Sequence, residues 1–437
     1  MSHDRLRRMF GRDPAQTHRA ATPLELLFDL VFVVAFAVAG EQAAHLIAEG
    51  HVPAGVIGFA FAVFAIVWAW INFTWFASAF DTDDWLYRLT TMVQMIGVVV
   101  LALGLPEMFR SIDGGQQVDN EVMVAGYVVM RLAMLAQWLR VARQSPTYRP
   151  VALVYATALV VAQLGWVLLA VLPVSVGQFF LLGAGMVLVE TAGPVIGERR
   201  PVADASGRRG TPWHPHHVAE RYGLLVIITL GEGVIGTVAS LSAVVEHSGW
   251  SVDAVLVCVA GVALTFGLWW TYFLTPAGDL LARHRGRSFG WGYGHLVVFG
   301  SLAAVGAGLH VVAYWLEGEA HLSDVGALLA VAVPVLVFLV TDVVLHVYLV
   351  GRADPVRLLL LGAAVALLAA AVAVVAAGGT TPVALLLVML APAVTVVVHE
   401  TGGHRRLTAM LDADAEATGE RRPAAPTGGD QAGTLDR

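Results

Sequence analysis

Of the 26 basic residues in this 437-residue chain, all arginine, 23 lie in the two tails or in every second break between long apolar segments. Apolar stretches of about 20 residues are the length needed to cross a bilayer as a helix. Twelve can be read, near 24–47, 54–77, 87–106, 122–142, 150–172, 175–197, 221–244, 252–275, 290–313, 325–349, 355–377 and 382–399. Short polar or Pro/Gly breaks separate them, such as 50–53, 173–177 and 378–382.

The N-terminal tail holds Arg5, Arg7, Arg8, Arg12 and Arg19. The even-numbered breaks hold Arg88, then Arg140, Arg143 and Arg149, then Arg199, Arg200, Arg208 and Arg209. They continue with Arg283, Arg285 and Arg287, then Arg352 and Arg357, and the C-terminal tail holds Arg405, Arg406, Arg421, Arg422 and Arg437. The odd-numbered breaks contain only Arg110. Positive charge is retained on the cytoplasmic side, so both termini are expected there. A miscounted span would scramble the alternation.

The expected fold is therefore an all-α integral membrane protein of about twelve transmembrane helices. Charged residues make up 14% of the chain and mean hydropathy is +0.72, whereas a soluble domain carries about 25% charged residues. A net charge of −7 leaves no basic face for nucleic acid. Cys258 is the only cysteine, which excludes an intrachain disulfide. The first 20 residues lack the layout of a cleavable signal, so the first apolar segment is expected to stay as a helix.

The two halves resemble one another. Asp29 and Glu41 in the first span are matched by Glu220 and Glu232 around the seventh, each second acid following a glycine (Gly40, Gly231). Trp68, Trp70, Asn72 and Phe73, followed by Asp81, are matched by Trp269, Trp270, Tyr272 and Phe273, followed by Asp279. Arg143 to Pro146 resembles Arg352 to Pro355. Six spans between equivalents preserve orientation, which makes a parallel six-plus-six repeat, a common transporter plan. The expected organisation is a cytoplasmic tail (1–22), a first six-helix repeat (23–198), a cytoplasmic linker (199–219), a second repeat (220–400) and a disordered cytoplasmic tail (401–437).

Charges within the spans are the candidates for chemistry. Glu25 and Asp29 are four apart and share a helix face. Their place at a helix N-terminus is also what the macrodipole favours with no further role. Glu41 and Glu232 lie deeper, about 18 Å along the axis from their partner acids, and a mid-bilayer acid is expected to face protein or water. Arg131, in mid-span, needs a carboxylate, with Glu232 and Glu41 the natural partners. Asp342 and His346 are one turn apart, and a hydrogen bond between them would satisfy both; His295 opens the ninth span. The acidic loop with Asp81, Asp83, Asp84 and Arg88 is read first as an N-cap supplied by Asp83 or Asp84, and otherwise as a weak cation site or a contact for loop arginines. The three histidines at 214, 216 and 217 hint at metal, but Pro215 and the lack of a cysteine partner favour a solvated loop. No nucleotide, zinc-protease or serine-hydrolase motif is present, and no cofactor or metal is expected.

Residues 25–33 (Glu-Leu-Leu-Phe-Asp-Leu-Val-Phe-Val), 80–84 (Phe-Asp-Thr-Asp-Asp) with Tyr87 and Arg88, and 220–224 (Glu-Arg-Tyr-Gly-Leu) with Gly231 and Glu232 resemble the bacterial low temperature requirement protein A family. The resemblance runs from about residue 20 to 400 and departs from the family pattern at Leu27 and Gly233. It implies a multi-span bacterial membrane protein linked to growth in the cold, and it adds Arg221 to the candidates.

The reading that follows is an ion- or proton-coupled secondary transporter or channel-like protein of the cytoplasmic membrane. Glu232 would be the carrying acid, Arg131 its counter-charge, and Asp29 with Glu220 the cytoplasmic entrance. The alternatives are an intramembrane lipid-modifying enzyme using a set such as Asp342 and His346, or a non-catalytic protein supporting growth in the cold. The expected partners are the lipid bilayer and a small solute, ion or proton, with no nucleic acid; oligomeric state is left open.

Overall fold

The computed structural model describes residues 6–13, 16, 19–202 and 209–403. Among these, twelve helices are long and apolar enough to cross a membrane. They are α1 (Pro23–Ala48), α2 (Val52–Phe80), α3 (Trp85–Gly114), α4 (Glu121–Gln144), α5 (Arg149–Val171), α6 (Val176–Glu198), α7 (Pro215–Ser248), α8 (Val252–Phe273), α10 (Ser288–Leu316), α11 (Asp324–Val350), α12 (Pro355–Ala376) and α13 (Thr381–Val398). A seven-residue α9 (Ala277–Arg283) and a 3-10 turn bridge α8 to α10. Most of the expected C-terminal tail, from residue 404 onward, lies outside the described residues.

Two boundaries differ from expectation. Helix α3 runs on past Pro106 to Gly114, because inside a bundle neighbouring groups tolerate a proline's missing donor. Helix α7 begins at Pro215 rather than near 221. The segment 213–217 is therefore not a solvated loop: Trp213, His214 and His217 are buried. Pro215 supplies the fixed φ that suits a first helical position. The His214 ring accepts the His217 amide at 3.2 Å as the cap, and Arg285 lies 4.0 Å over the Trp213 ring.

Helix α10 is the most enclosed and packs on α1, α7 and α11, while α6 and α12 show most of their surface outward. Small residues set the closest approaches, as interhelical packing in lipid requires. A Cβ on Gly126 of α4 would collide with the Leu101 backbone of α3, and one on Gly104 of α3 with Met123 of α4.

The N-terminal segment is strapped across the arginine-bearing end. The Arg7 amide donates to Asp84 (3.0 Å), the Met9 amide to Gln144 (3.1 Å) and the Arg12 amide to Ala79 (2.9 Å). The Arg19 guanidinium donates to the Ser78 and Ala77 carbonyls in the last turn of α2; the Ala77 carbonyl also takes the Asp81 amide at 3.1 Å. Burial, with Arg12 nearby, lowers the Arg19 pKa to about 10, so it stays charged at neutral pH.

The acidic loop is held at several points. Asp84 caps α3 by accepting the Tyr87 amide at 2.9 Å and also pairs with Arg140. Asp83 takes Arg88 in a two-bond contact (2.8 and 2.9 Å), and Asp81 faces Arg12 at 3.2 Å. Hydrogen bonds from Arg140 and the Tyr87 and Arg7 amides outweigh burial and lower the Asp84 pKa. A depressed folded-state pKa contributes stability that is full above the unfolded value of about 3.9 and is lost as pH falls through the folded value. Asp84→Asn is therefore expected to lower the thermal midpoint at pH 7 and to flatten its fall below about pH 4. Parallel curves for the two proteins across that range would contradict the assignment.

Candidate functional site: the buried charges of the bundle

Thr22 and Glu25 form a capping box, with the Thr22 amide donating to Glu25 at 2.7 Å. That box fixes the rotation of the first turn of α1, and the four-residue spacing turns Glu25 and Asp29 toward α7. Both are buried against Arg221. The Arg221 Nη2 and Nε both donate to Asp29 (Nε at 3.1 Å), and its Nη1 lies 3.0 Å from Glu25 Oε1. Trp70 Nε1 donates to Asp29 at 2.6 Å, and His217 Nε2 sits 3.2 Å from Glu25 Oε1. Three helices are thereby tied by one cation and two carboxylates. Asp29 is fully buried, covered by the arginine one turn beyond His217. Glu220 points the other way, exposed, and accepts the Ala21 amide at 3.3 Å.

Arg131 does not meet Glu232 or Glu41. Its partner is Glu190 of α6 at 3.3 Å, with the Tyr127 hydroxyl bonded to both and Gln163 donating to Glu190 at 3.2 Å. All four are buried between α4, α5 and α6. Glu190 was absent from the sequence candidates, although it is the only charged residue inside the sixth apolar stretch and by that fact visible.

Glu232 stands apart from these pairs. It sits midway along α7, 3% exposed, and packs against Gly306 of α10 and Gly40 of α1. A Cβ on Gly306 would lie 2.6 Å from that of Glu232, so only glycine gives this side chain room. Its Oε1 has no hydrogen-bond partner, and no arginine or histidine pairs with it among the described residues. Neighbouring Glu41 is exposed.

At the arginine-bearing end, helices α7 to α11 enclose a cavity of about 170 Å³. Tyr272, Thr275, Trp291, His295, Asp342 and His346 line it. Asp342 and His346 do not bond to each other, since each has a partner on another part of the chain. Asp342 lies 3.6 Å from Arg357 of α12, and His346 Nδ1 lies 3.2 Å from Thr275 Oγ1. Arg357, read from sequence as a loop residue, is buried in the first turn of α12. The Tyr222 ring packs 4.9 Å from His295 and 5.0 Å from Trp70, so one aromatic layer separates the cavity from the Arg221 cluster.

Twelve membrane-length helices enclosing charges at membrane depth define a multi-pass membrane protein. Residues 20–392 match the family model of the bacterial low temperature requirement A protein (LtrA), and the chain belongs to that family. It is also similar to Uncharacterized protein RA0937 of Rhizobium meliloti (strain 1021), with 26% identity over 294 residues, 65% of this chain and 67% of that protein. No solved structure matches the chain. The residues 25–33, 80–88 and 220–232 that carried the resemblance meet in space: Asp29 binds Arg221, and the Phe73 ring of α2 packs tilted against both Phe28 and Tyr87.

Proposed function

We propose that this protein is a proton- or ion-coupled secondary transporter or channel-like protein of the bacterial cytoplasmic membrane, with both termini cytoplasmic and Glu232 taking up and releasing the ion or proton. The carrying observation is the isolation of Glu232. Glu25, Asp29, Asp84, Glu190 and Asp342 each face an arginine, whereas the Glu232 carboxylate has no cation beside it among the described residues. An ionised carboxylate at mid-membrane costs roughly 2.5–3.5 kcal/mol, and taking a proton or a cation removes that cost. Arg131 has no part in this step; it holds α4 to α6.

The six-plus-six reading (23–198 and 220–400) is supported by helix pairings that recur at an offset of six spans. The contacts α1–α2, α1–α3, α3–α4, α4–α5 and α5–α6 correspond to α7–α8, α7–α10, α10–α11, α11–α12 and α12–α13. Burial is exchanged between the halves: Asp29 is sealed and Glu41 exposed in the first, while Glu220 is exposed and Glu232 enclosed in the second. An ion path that enters beside Glu41 and stops at Glu232 follows from that exchange.

The family description ties such proteins to growth in the cold, which provides an assay. In a strain lacking the gene, the wild-type chain is expected to restore low-temperature growth and Glu232→Gln to fail, with both at equal abundance in the membrane. Arg110→Gln, at an exposed site in the last turns of α3, is expected to restore growth fully. Full rescue by Glu232→Gln would remove Glu232 from the function.

A further inference from the structure

The cavity at the arginine-bearing end carries unspent hydrogen-bonding capacity. The Trp291 carbonyl only accepts, so the 2.8 Å contact makes His295 Nδ1 the donor. His295 Nε2 then accepts the Tyr272 hydroxyl at 3.0 Å, which leaves the Tyr272 oxygen able to accept with no protein donor among the described residues. Thr275 Oγ1 accepts from Arg357 at 3.3 Å and keeps its own proton to give to His346 Nδ1 at 3.2 Å. With Nδ1 accepting, His346 carries its proton on Nε2 as a donor. Asp342 contributes carboxylate oxygens whose nearest cation is Arg357 at 3.6 Å, an ion pair without a hydrogen bond.

Charge and size then select the ligand. Asp342 and Arg357 cancel, so a cation or an anion entering the cavity would bring net charge into a low-dielectric site. A volume of about 170 Å³ holds roughly five or six waters at ~30 Å³ each, or a molecule of about six non-hydrogen atoms. The lining offers two acceptors and one donor, with Trp291 and Phe273 among its apolar residues. The geometry points to a binding site for a small uncharged polyol, its hydroxyls donating to Asp342 and Tyr272 and one oxygen accepting from His346. Ala219 and Ala277 line the same cavity, both half-buried. This deepens the transporter reading by naming a substrate class, and it rests on that reading only for calling the ligand a substrate.

The test reads binding, not flux, so the two ideas fail separately. In the full-length chain with Cys258→Ala, a single reporter Ala277→Cys is labelled with methyl methanethiosulfonate in detergent. Glycerol is expected to slow labelling at least about threefold, while methylammonium chloride and sucrose at equal osmolality leave the rate unchanged. Asp342→Asn, which keeps an acceptor but loses the charge that strengthens the bond, is expected to raise the glycerol concentration for half-protection about tenfold. If Ala277→Cys does not fold or react, Ala219→Cys is the second reporter. Protection by methylammonium instead of glycerol would overturn the uncharged class. Equal protection by sucrose, or none by any solute at either reporter, would overturn the site. Loss of proton flux on Glu232→Gln bears on none of these outcomes, because that assay contains no solute.

Discussion

Arg221→Ala is expected to prevent folded protein from accumulating in the membrane. The substitution leaves Glu25 and Asp29, both buried, without their arginine, faced by His217, the Thr22 amide and Trp70. Removing one partner of a buried ion pair costs about 3–5 kcal/mol, and here two carboxylates lose the same cation. A stable domain holds only about 5–15 kcal/mol in total. The loss should appear as a collapsed monodisperse peak in size-exclusion chromatography of detergent extracts, or as a thermal midpoint too low to measure. The triple variant Arg221→Met, Glu25→Gln, Asp29→Asn removes all the charges together and is expected to recover most of the folded peak, since an apolar or neutral replacement of a buried pair is often tolerated. Normal accumulation of Arg221→Ala would mean that water or ions reach this cluster, contrary to its burial.

Gly126→Leu should be almost as damaging, by sterics alone. The position on α4 faces the Leu101 backbone and the Gly97 carbonyl of α3, so a side chain has no rotamer that avoids main-chain atoms. Overpacking of a core usually costs about 1–3 kcal/mol because side chains yield; backbone cannot, and the two helices must separate. Gly126→Ala already places a Cβ inside that contact and is expected to lower the thermal midpoint clearly. Gly362→Ala on α12, with open space at its Cβ, is expected to be neutral or slightly stabilising. Equal tolerance at both positions would show that the α3–α4 contact is looser than described.

The path of the chain was legible because its physics is one-dimensional. Apolar length and arginine position depend on the bilayer, not on which helix is whose neighbour, so twelve spans could be counted. Two boundaries differ at prolines: the third span is expected to end at 106, yet α3 carries Pro106 on to Gly114, and Pro215, expected in a solvated loop, opens α7. The shared face of Glu25 and Asp29 was readable from their spacing. Their partner Arg221, 192 residues from Asp29 in sequence, was not, because interhelical contacts have no local signature. Arg131 shows the same limit: its need for an acid was plain, but the choice of Glu190 depends on α4 lying beside α6. Asp342 and His346 looked like a pair by spacing, yet Asp342 faces Arg357 on α12 and His346 faces Thr275 in the turn between α8 and α9.

The most direct test of the account is proton flux into liposomes carrying the purified protein under an imposed membrane potential, with wild type beside Glu232→Gln. The account predicts potential-driven acidification for wild type and none above the lipid background for Glu232→Gln, with both equally folded and equally reconstituted. Flux of the same size in both would contradict it, since the buried mid-membrane carboxylate with no cation beside it among the described residues would then be dispensable.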